Sequence, residues 1–323
     1  MSKGLLKSDL FPKEISPKDD AYHGSNKFIA SEWWYFDAIF NNNYSLHVDF
    51  TTFTKNYKIT SSAIEIYKNG KLEVKAIKRH LFKDVKLSKN YPFIKINDKK
   101  IMEFDLERYN KKGEWIYNFS NKIDNHHVDL NFIGTTKGWK FETDAESWAV
   151  ALPKAKVKGE LSINGKKIEV EGIGYHDHNW NSTISTVLYI WGWYWGKVSS
   201  EKMNFVWSYI KKTSNEGKFR GIINHDDKGF IYIDPNKIHF KTNKYIRSHG
   251  RKIPTNFVIK INDIYNGIPI KLDINIKVEE SHFKSLLIFP YWRHHIKATG
   301  FMSIGDYKEE VNSTHIMECF RLF

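Results

Sequence analysis

An all-β fold, built of antiparallel strands in sandwiches or barrels, is the class this sequence predicts. Three observations point there: apolar and polar residues alternate with period two along most of the chain, Asn-Gly pairs punctuate the alternation, and no segment sustains a helical period over several turns. The alternation is cleanest in KLDINIKV, where Leu272, Ile274, Ile276 and Val278 face one way and Lys271, Asp273, Asn275 and Lys277 the other, as in a half-buried antiparallel strand. Asn69-Gly70, Asn164-Gly165 and Asn266-Gly267 predict hairpin turns, because both residues accept the positive φ that a two-residue loop demands. Asn97-Asp98 and the loop Asn41 to Asn43 predict further turns.

Residues 1 to about 20 are charged and carry prolines, so an extended surface segment is expected. The strand Ser31 to Asp37 follows and pairs across the asparagine loop with Leu46 to Phe50. The polar stretch from Ser182 to Thr186 marks the expected domain boundary, giving domains 1–183 and 184–323. Beyond it come an aromatic strand from Val187 to Trp195, a turn over Ser199 to Lys202, and a strand from Met203 to Ile210. The basic stretch Lys241 to Pro254 reads as a loop.

At 323 residues there is length for two domains, each with its own core. Eleven tryptophans and 15% aromatic residues suit sheets with large apolar pockets. The formal charge of +13 is carried by lysines spread along alternating strands. Solubility is the first reading of that charge, and a peripheral association with membrane surfaces the second. The single cysteine, Cys319, excludes a disulfide framework and a cysteine-based zinc site. The N-terminus lacks the apolar core of a signal peptide, and no apolar run approaches the roughly 18 residues of a membrane span. A soluble, reduced, cytoplasmic protein is expected, which leaves the Asn-X-Ser/Thr triplets at Asn118, Asn181 and Asn312 without weight.

The densest chemistry is Gly174-Tyr175-His176-Asp177-His178-Asn179-Trp180. On an extended strand His176, His178 and Trp180 share one face, and Tyr175, Asp177 and Asn179 the other. Three readings stay open. The His-X-His pair offers a metal seat, although no third ligand follows in Asn181, Ser182 or Thr183. A carboxyl among Trp, Tyr and His loses hydration and becomes able to act as a general acid, with the histidines orienting or re-protonating it. A buried hydrogen-bonded turn is the third.

Two other segments matter. In Glu32-Trp33-Trp34-Tyr35-Phe36-Asp37 each face carries an acid beside aromatics, suited to a site or to an amphipathic strand whose acids cap a rim. In Tyr189 to Gly196 a ladder of Tyr189, Trp191, Trp193 and Trp195 opposes Ile190, Gly192, Tyr194 and Gly196. Such a ladder fits ordinary core, or a pocket wall whose rings stabilise a cation by ~2 kcal/mol or more per desolvated contact. Near the C-terminus, Glu318 sits in an apolar strand and calls for a partner, with Arg293 the candidate.

The motifs EWWYFDA (from Glu32) and GYHDHNW (from Gly174), with Trp148 to Pro153 and Tyr291 to Gly300, resemble carotenoid 1,2-hydratase, also called hydroxyneurosporene synthase, and the AttH-like proteins. The resemblance runs in order from about Glu32 to the C-terminus. It implies two tandem lipocalin-like antiparallel β-barrels with a ligand cavity at or near their junction, an apolar isoprenoid or polyene ligand, and neither cofactor nor metal. It implies addition of water across a carbon–carbon double bond; similar folds in fungi act as pericyclases. By position Asp177 becomes the proton donor, with Tyr175, His176 and His178 around it as catalytic residues. Glu32, Trp34, Asn179, Trp191, Trp193 and Tyr291 become the substrate contacts. Ser31 stands where a histidine is common, and Asn181 where the motif ends in glycine.

The leading expectation is therefore a hydratase or cyclase that protonates an alkene through Asp177. A lipocalin-like carrier of a hydrophobic ligand and a Diels–Alderase-like pericyclase are the alternatives. Nucleic acid is not an expected partner, since these tryptophans read as buried.

Overall fold

Residues 11–25, 27, 30–53, 59–143, 146–183, 187–188, 190–213, 216–226, 229–286 and 289–322 are described in the structure, a computed structural model. The chain divides into two compact units, 1–186 and 187–323. Each is a single antiparallel sheet curled round its own apolar core.

Unit 1 contains β1 (Lys13–Glu14), β2 (Ala30–Phe40), β3 (Tyr44–Phe53), β4 (Ile59–Lys68), β5 (Lys71–Leu81), β6 (Val85–Leu87), β7 (Phe93–Ile96), β8 (Lys99–Phe104), β9 (Ile116–Ile123), β10 (His126–Gly134), β11 (Trp139–Glu142), β12 (Ser147–Ile163) and β13 (Lys166–Thr183). The strand order is β5-β4-β3-β2-β13-β12-β10-β9-β8-β7-β6, with β11 joining β12 to β1. Strands β2 and β13 are thus central neighbours although some 140 residues separate them, and they carry the two motifs. Unit 2 contains β14 (Gly192–Ser199), β15 (Met203–Lys211), β16 (Gly217–His225), β17 (Gly229–Tyr232), β18 (Ile238–Ser248), β19 (Arg251–Tyr265), β20 (Ile268–Leu286), β21 (Phe289–Ile304) and β22 (Tyr307–Arg321), ordered β17-β16-β15-β14-β22-β21-β20-β19-β18.

The asparagine turns form as their chemistry requires. Asn69-Gly70, Asn164-Gly165 and Asn266-Gly267 all take positive φ at both positions, and Asn97 and Asn43 also turn through positive φ. The Leu272, Ile274 and Ile276 side chains fill the core of unit 2. In unit 1 the even-numbered residues of β2 and β13 point inward, so Trp34 and Phe36 join Phe50, Phe104, Tyr117, Phe119 and Phe132 among the fully buried rings. Each such ring contributes roughly 2–3 kcal/mol of apolar burial. Gly174 opens the GYHDHNW motif where a side chain has no room: a Cβ would lie 2.4 Å from Val157 Cγ2 and 2.8 Å from Phe132.

Four expectations change. Lys241 to Pro254 is not a loop but the hairpin of β18 and β19, turning at His249-Gly250. Its lysines suit β18 because that strand is a sheet edge, where exposed charge blocks further pairing. The aromatic strand expected from Val187 begins only at Gly192, where pairing with Lys211 and Arg321 starts; an apolar run becomes a strand only where a neighbour's backbone meets it. Of the segment expected to lie extended on the surface, residues 1–10 lie outside the described residues; Lys13 and Glu14 are extended and exposed as β1, paired with β11, but the 3₁₀ turn that follows (Pro17–Asp20) buries Asp20 completely. A short α-helix, α1 (Leu106–Lys112), is capped by Asp105, which accepts the Arg108 N–H, and ended by Gly113 in the left-handed conformation. At seven residues it offers too few turns to show a period. Of the expected linker, residues 184–186 lie outside the described residues, as does Tyr189.

Candidate functional site

Strand β13 carries two different clusters, one on each face. The pleat dictates the division: Tyr175, Asp177 and Asn179 alternate with His176, His178 and Trp180. In register, His176 lies opposite Phe36 and His178 opposite Trp34 on the inner face, while Tyr175 lies opposite Asp37 and Asp177 opposite Tyr35 on the outer one.

On the inner face each imidazole stacks on its cross-strand ring. Phe36 and His176 are 3.8 Å apart and nearly parallel, and Trp34 and His178 are 4.3 Å apart. His23 stacks in the same way on Trp180 at 4.0 Å. The His176 Nδ1 lies 2.9 Å from the Tyr35 carbonyl, which can only accept, so Nδ1 carries hydrogen. Its Nε2 is 2.9 Å from Asp20 Oδ2, which also accepts the Tyr117 hydroxyl at 2.7 Å. Trp34 Nε1 donates to the Asp20 carbonyl. His178 Nε2 is 3.0 Å from Glu32 Oε1, and the Glu32 carboxylate accepts the main-chain N–H groups of His23 and Gly24 at 2.8 and 2.9 Å. Burial holds the His178 ring far below the usual imidazole range and therefore neutral. Burial also pushes the Glu32 carboxyl up to about 7, against the pull of its two main-chain donors. Burial and the neighbouring Asp20 keep the Tyr117 phenol protonated, well above its ordinary value.

Space beside this cluster is small. A crevice of about 10 Å³, bordered by Tyr22, Ser31, Glu32 and Thr52, admits one water at most. That crevice reaches Glu32 of the inner cluster and has no room for a substrate.

On the outer face Asp177, 5% exposed, receives three donors. Its Oδ2 accepts the Tyr175 hydroxyl at 2.7 Å and the Trp148 indole N–H at 2.9 Å, and its Oδ1 accepts the Asn179 amide at 3.1 Å. Burial first, then the Asp177 charge, push the Tyr175 phenol well above its ordinary value, so it stays a donor. The arrangement repeats on neighbouring strands. Tyr35 donates to Asp37 at 2.9 Å, and Tyr67 donates to Glu65 at 2.7 Å, with His47 3.5 Å from both Glu65 and Asp49. A tyrosine two residues from an acid on one strand places both side chains on the same face, which is why the motif recurs.

The structure therefore brings Tyr175, Asp177 and Asn179 together, but not His176 and His178 with Asp177. The two histidines, expected around the acid, turn to the opposite face and bond Asp20 and Glu32. Glu32 and Trp34, expected as substrate contacts, belong to that inner set too. Asp20, Tyr117 and His23 were not singled out from sequence. Trp148 was noted only as part of a matching segment. Asp20 had no local signal, since its partner His176 lies 156 residues away. The Tyr-X-Asp spacing at Tyr35–Asp37 and Tyr175–Asp177 was the available clue to the outer cluster.

Asn181, inside the one irregularity of β13 against β2 (between Asn179 and Ser182), has φ 64. Glycine takes that conformation freely and asparagine is among the few other residues that tolerate it, which accounts for asparagine at a position where the motif otherwise ends in glycine.

Trp191, Trp193 and Tyr291 belong to unit 2. Tyr194 and Val198 point into its core, so Trp193 and Trp195 stand on the opposite face of β14. Trp193 stacks on Phe320 at 4.3 Å in a small satellite cluster with Ile190, Phe289 and Tyr291. Of the ladder, Trp193 and Trp195 thus lie outside the main core of unit 2. Arg293 donates to Tyr291 Oη at 3.1 Å and lies 3.4 Å from Glu318, the expected ion pair.

An open groove of about 630 Å³ runs elsewhere on unit 1, where Asp129, Glu160 and Glu169 stand in register across three strands; it contains none of the motif residues. Among the described residues no three His, Cys, Asp or Glu side chains are arranged to hold a metal ion, and no helix is long and apolar enough to cross a membrane.

Curled antiparallel sheets in tandem, the first bearing a buried, triply bonded carboxyl, define a protein of lipocalin-like architecture. The chain belongs to the AttH-like family, whose pattern it matches over residues 126–309. Among solved structures it is similar to a protein assigned as AttH from Nitrosomonas europaea, with 13% identity and a TM-score of 0.67 over 96% of this chain and 98% of that one. It is also similar to kievitone hydratase from Nectria haematococca (12%, 0.61, covering 95% and 93%) and to CghA solved with Sch210972 (10%, 0.58, covering 91% and 89%). At these identities the likeness is one of fold. No curated protein sequence matches the chain.

Proposed function

We propose that this protein is an enzyme that hydrates or cyclises an apolar, alkene-bearing substrate of isoprenoid or polyene type, with Asp177 moving the proton. The observation that carries this reading is the set of three donors on the Asp177 carboxyl. Protonating an alkene requires a strong acid, and the Tyr175 O–H, Trp148 N–H and Asn179 N–H stabilise the carboxylate left when the proton departs. The proton passes from Asp177 to one alkene carbon and leaves a tertiary cation on the other. Water adds to the cation and returns a proton to the carboxylate, so the acid is regenerated. In a cyclisation an internal nucleophile takes the place of water.

Kievitone hydratase shares the fold, which supports hydration as the reaction class; a carotenoid-type polyene is the substrate the sequence resemblance suggests. Carriage inside the first barrel is disfavoured because Phe36, Phe50, Phe104, Phe119 and Phe132 fill that interior. A pericyclase is the second reading. Two of the three donors are N–H groups that hold Asp177 as an acceptor, and a pericyclic reaction needs shape and donors but no acid.

The test is incubation with kievitone, or with an acyclic isoprenoid alkene, in ¹⁸O-labelled water. Wild type should yield a product heavier by one labelled water, and Asp177→Asn should bind the substrate equally while losing turnover. Full turnover in that variant would end the acid assignment, and cyclised product without water uptake would select the pericyclase.

A further inference from the structure

One end of the second sheet gathers two cations, neither of them bonded to a carboxylate among the described residues. Lys211 closes β15 and Arg321 closes β22, and both are register partners of Gly192, the first residue of the strand between them. Both lie on the core-facing side, since Trp207 and Tyr209 precede Lys211 at two-residue steps and Met317 and Cys319 precede Arg321 in the same way. Gly192 places no side chain between them. Its φ is 152, and a Cβ would sit 2.1 Å from the Phe320 carbonyl oxygen, so only glycine fits.

The Arg321 Nη1 donates to Tyr194 Oη at 3.1 Å. Its Nε is buried and has no acceptor among the described residues, which leaves the edge that Nε shares with Nη2. No carboxylate among the described residues bonds Lys211. The charged or titratable groups acting on it are Arg321 and the buried Cys319 thiol, and burial together with Arg321 pushes its ammonium below the usual range. Desolvation keeps the Cys319 thiol protonated despite the two cations above it. Around them stand aromatic walls: Tyr194 lies 6.2 Å from Tyr209 and 5.4 Å from Phe257, and Tyr209 lies 4.7 Å from Phe240. The Tyr245 hydroxyl is fixed 2.8 Å from Thr242 Oγ1 and interacts with Tyr194.

Holding two like charges together, part-buried and without a counter-charge, is unfavourable unless an anion completes the set. We propose that this end of unit 2 binds the carboxylate of a small apolar acid. The Nε–Nη2 edge of Arg321 is the planar fork that receives a carboxylate in bidentate fashion, Lys211 supplies the second charge, and Tyr194, Tyr209 and Phe240 hold the apolar body. The site lies wholly within unit 2 and does not draw on Asp177.

The test is calorimetric titration of the full chain with trans-cinnamate, its neutral analogue cinnamamide, and inorganic phosphate. Cinnamate should bind saturably and cinnamamide should not. Arg321→Gln and Lys211→Gln should each weaken cinnamate by about tenfold or more while melting as wild type does. If Arg321→Gln fails to fold, Lys211→Gln on the other strand decides. Equal binding of cinnamamide, or cinnamate affinity unchanged in the folded variants, overturns the site. Tighter binding of inorganic phosphate than of cinnamate overturns the assignment to a carboxylate.

Discussion

The two faces of β13 present the same residue types to different surroundings, and the outcome differs. Inward, His176 and His178 are each fully buried, stacked on a ring and tied to a carboxylate. Outward, Asp177 is tied to neutral donors on an indole, a phenol and an amide. The inner arrangement uses ionisable groups to hold strands in place. The outer one orients a carboxyl and stabilises its charged form. Which proton-active residues of one motif come to share a set of partners is therefore decided by the pleat and not by proximity in sequence.

The largest test of that contrast is on activity. Asp177→Asn keeps the size of the side chain and should lower turnover by about 10²–10⁴-fold with the melting temperature nearly unchanged. If it unfolds the protein instead, the two faces are not different in kind. Asp20→Ala should do the opposite. It strands the Tyr117 hydroxyl and His176 Nε2, and should cost about 3 kcal/mol or more in urea denaturation.

Glu32 gives the contrast a pH signature. Its folded carboxyl titrates near 7 against an ordinary 4.5, so between those values the folded state binds more protons than the unfolded state. That term stabilises at low pH and is lost as pH rises toward 7. Glu32→Gln removes it. The stability of the variant relative to wild type should therefore rise by about 3 kcal/mol from pH 4.5 to 7. A difference that is flat with pH would show that Glu32 is not perturbed. The neutral His178 acts in the other direction, losing stability as pH falls below the imidazole range.

Smaller effects sharpen the outer site. Trp148→Phe keeps a ring but removes one donor from Asp177, and should lower kcat by about tenfold with KM held. Asn181→Ala should cost about 1–2 kcal/mol at its positive φ, and Asn181→Gly close to nothing, by thermal denaturation.

Much of this was legible in sequence, for a physical reason. Period two assigned Tyr175, Asp177 and Asn179 to one face and His176, His178 and Trp180 to the other, and the Asn-Gly turns located the hairpins. Two kinds of information were missing. Partners from distant segments leave no local trace, so Asp20 could not be matched to His176. Register, too, is not fixed by the turn alone. Counting back from Asn164-Gly165 sets Asp177 opposite Leu152, but irregularities between Val150 and Leu152 and between Leu152 and Ala155 place it opposite Val150, with Trp148 opposite Asn179. The lysines of β18 misled because edge strands and loops share a composition.

Those two irregularities make the outer cluster sensitive to chain length as well as to chemistry. Losing one residue between Val150 and Ala155 would reverse the facing of everything before it in β12. The Trp148 indole would then turn inward, away from Asp177, although every side chain touching the carboxyl kept its identity. A single-codon deletion there would disarm the site without altering any of its members, and inserting one residue alongside it would re-arm it.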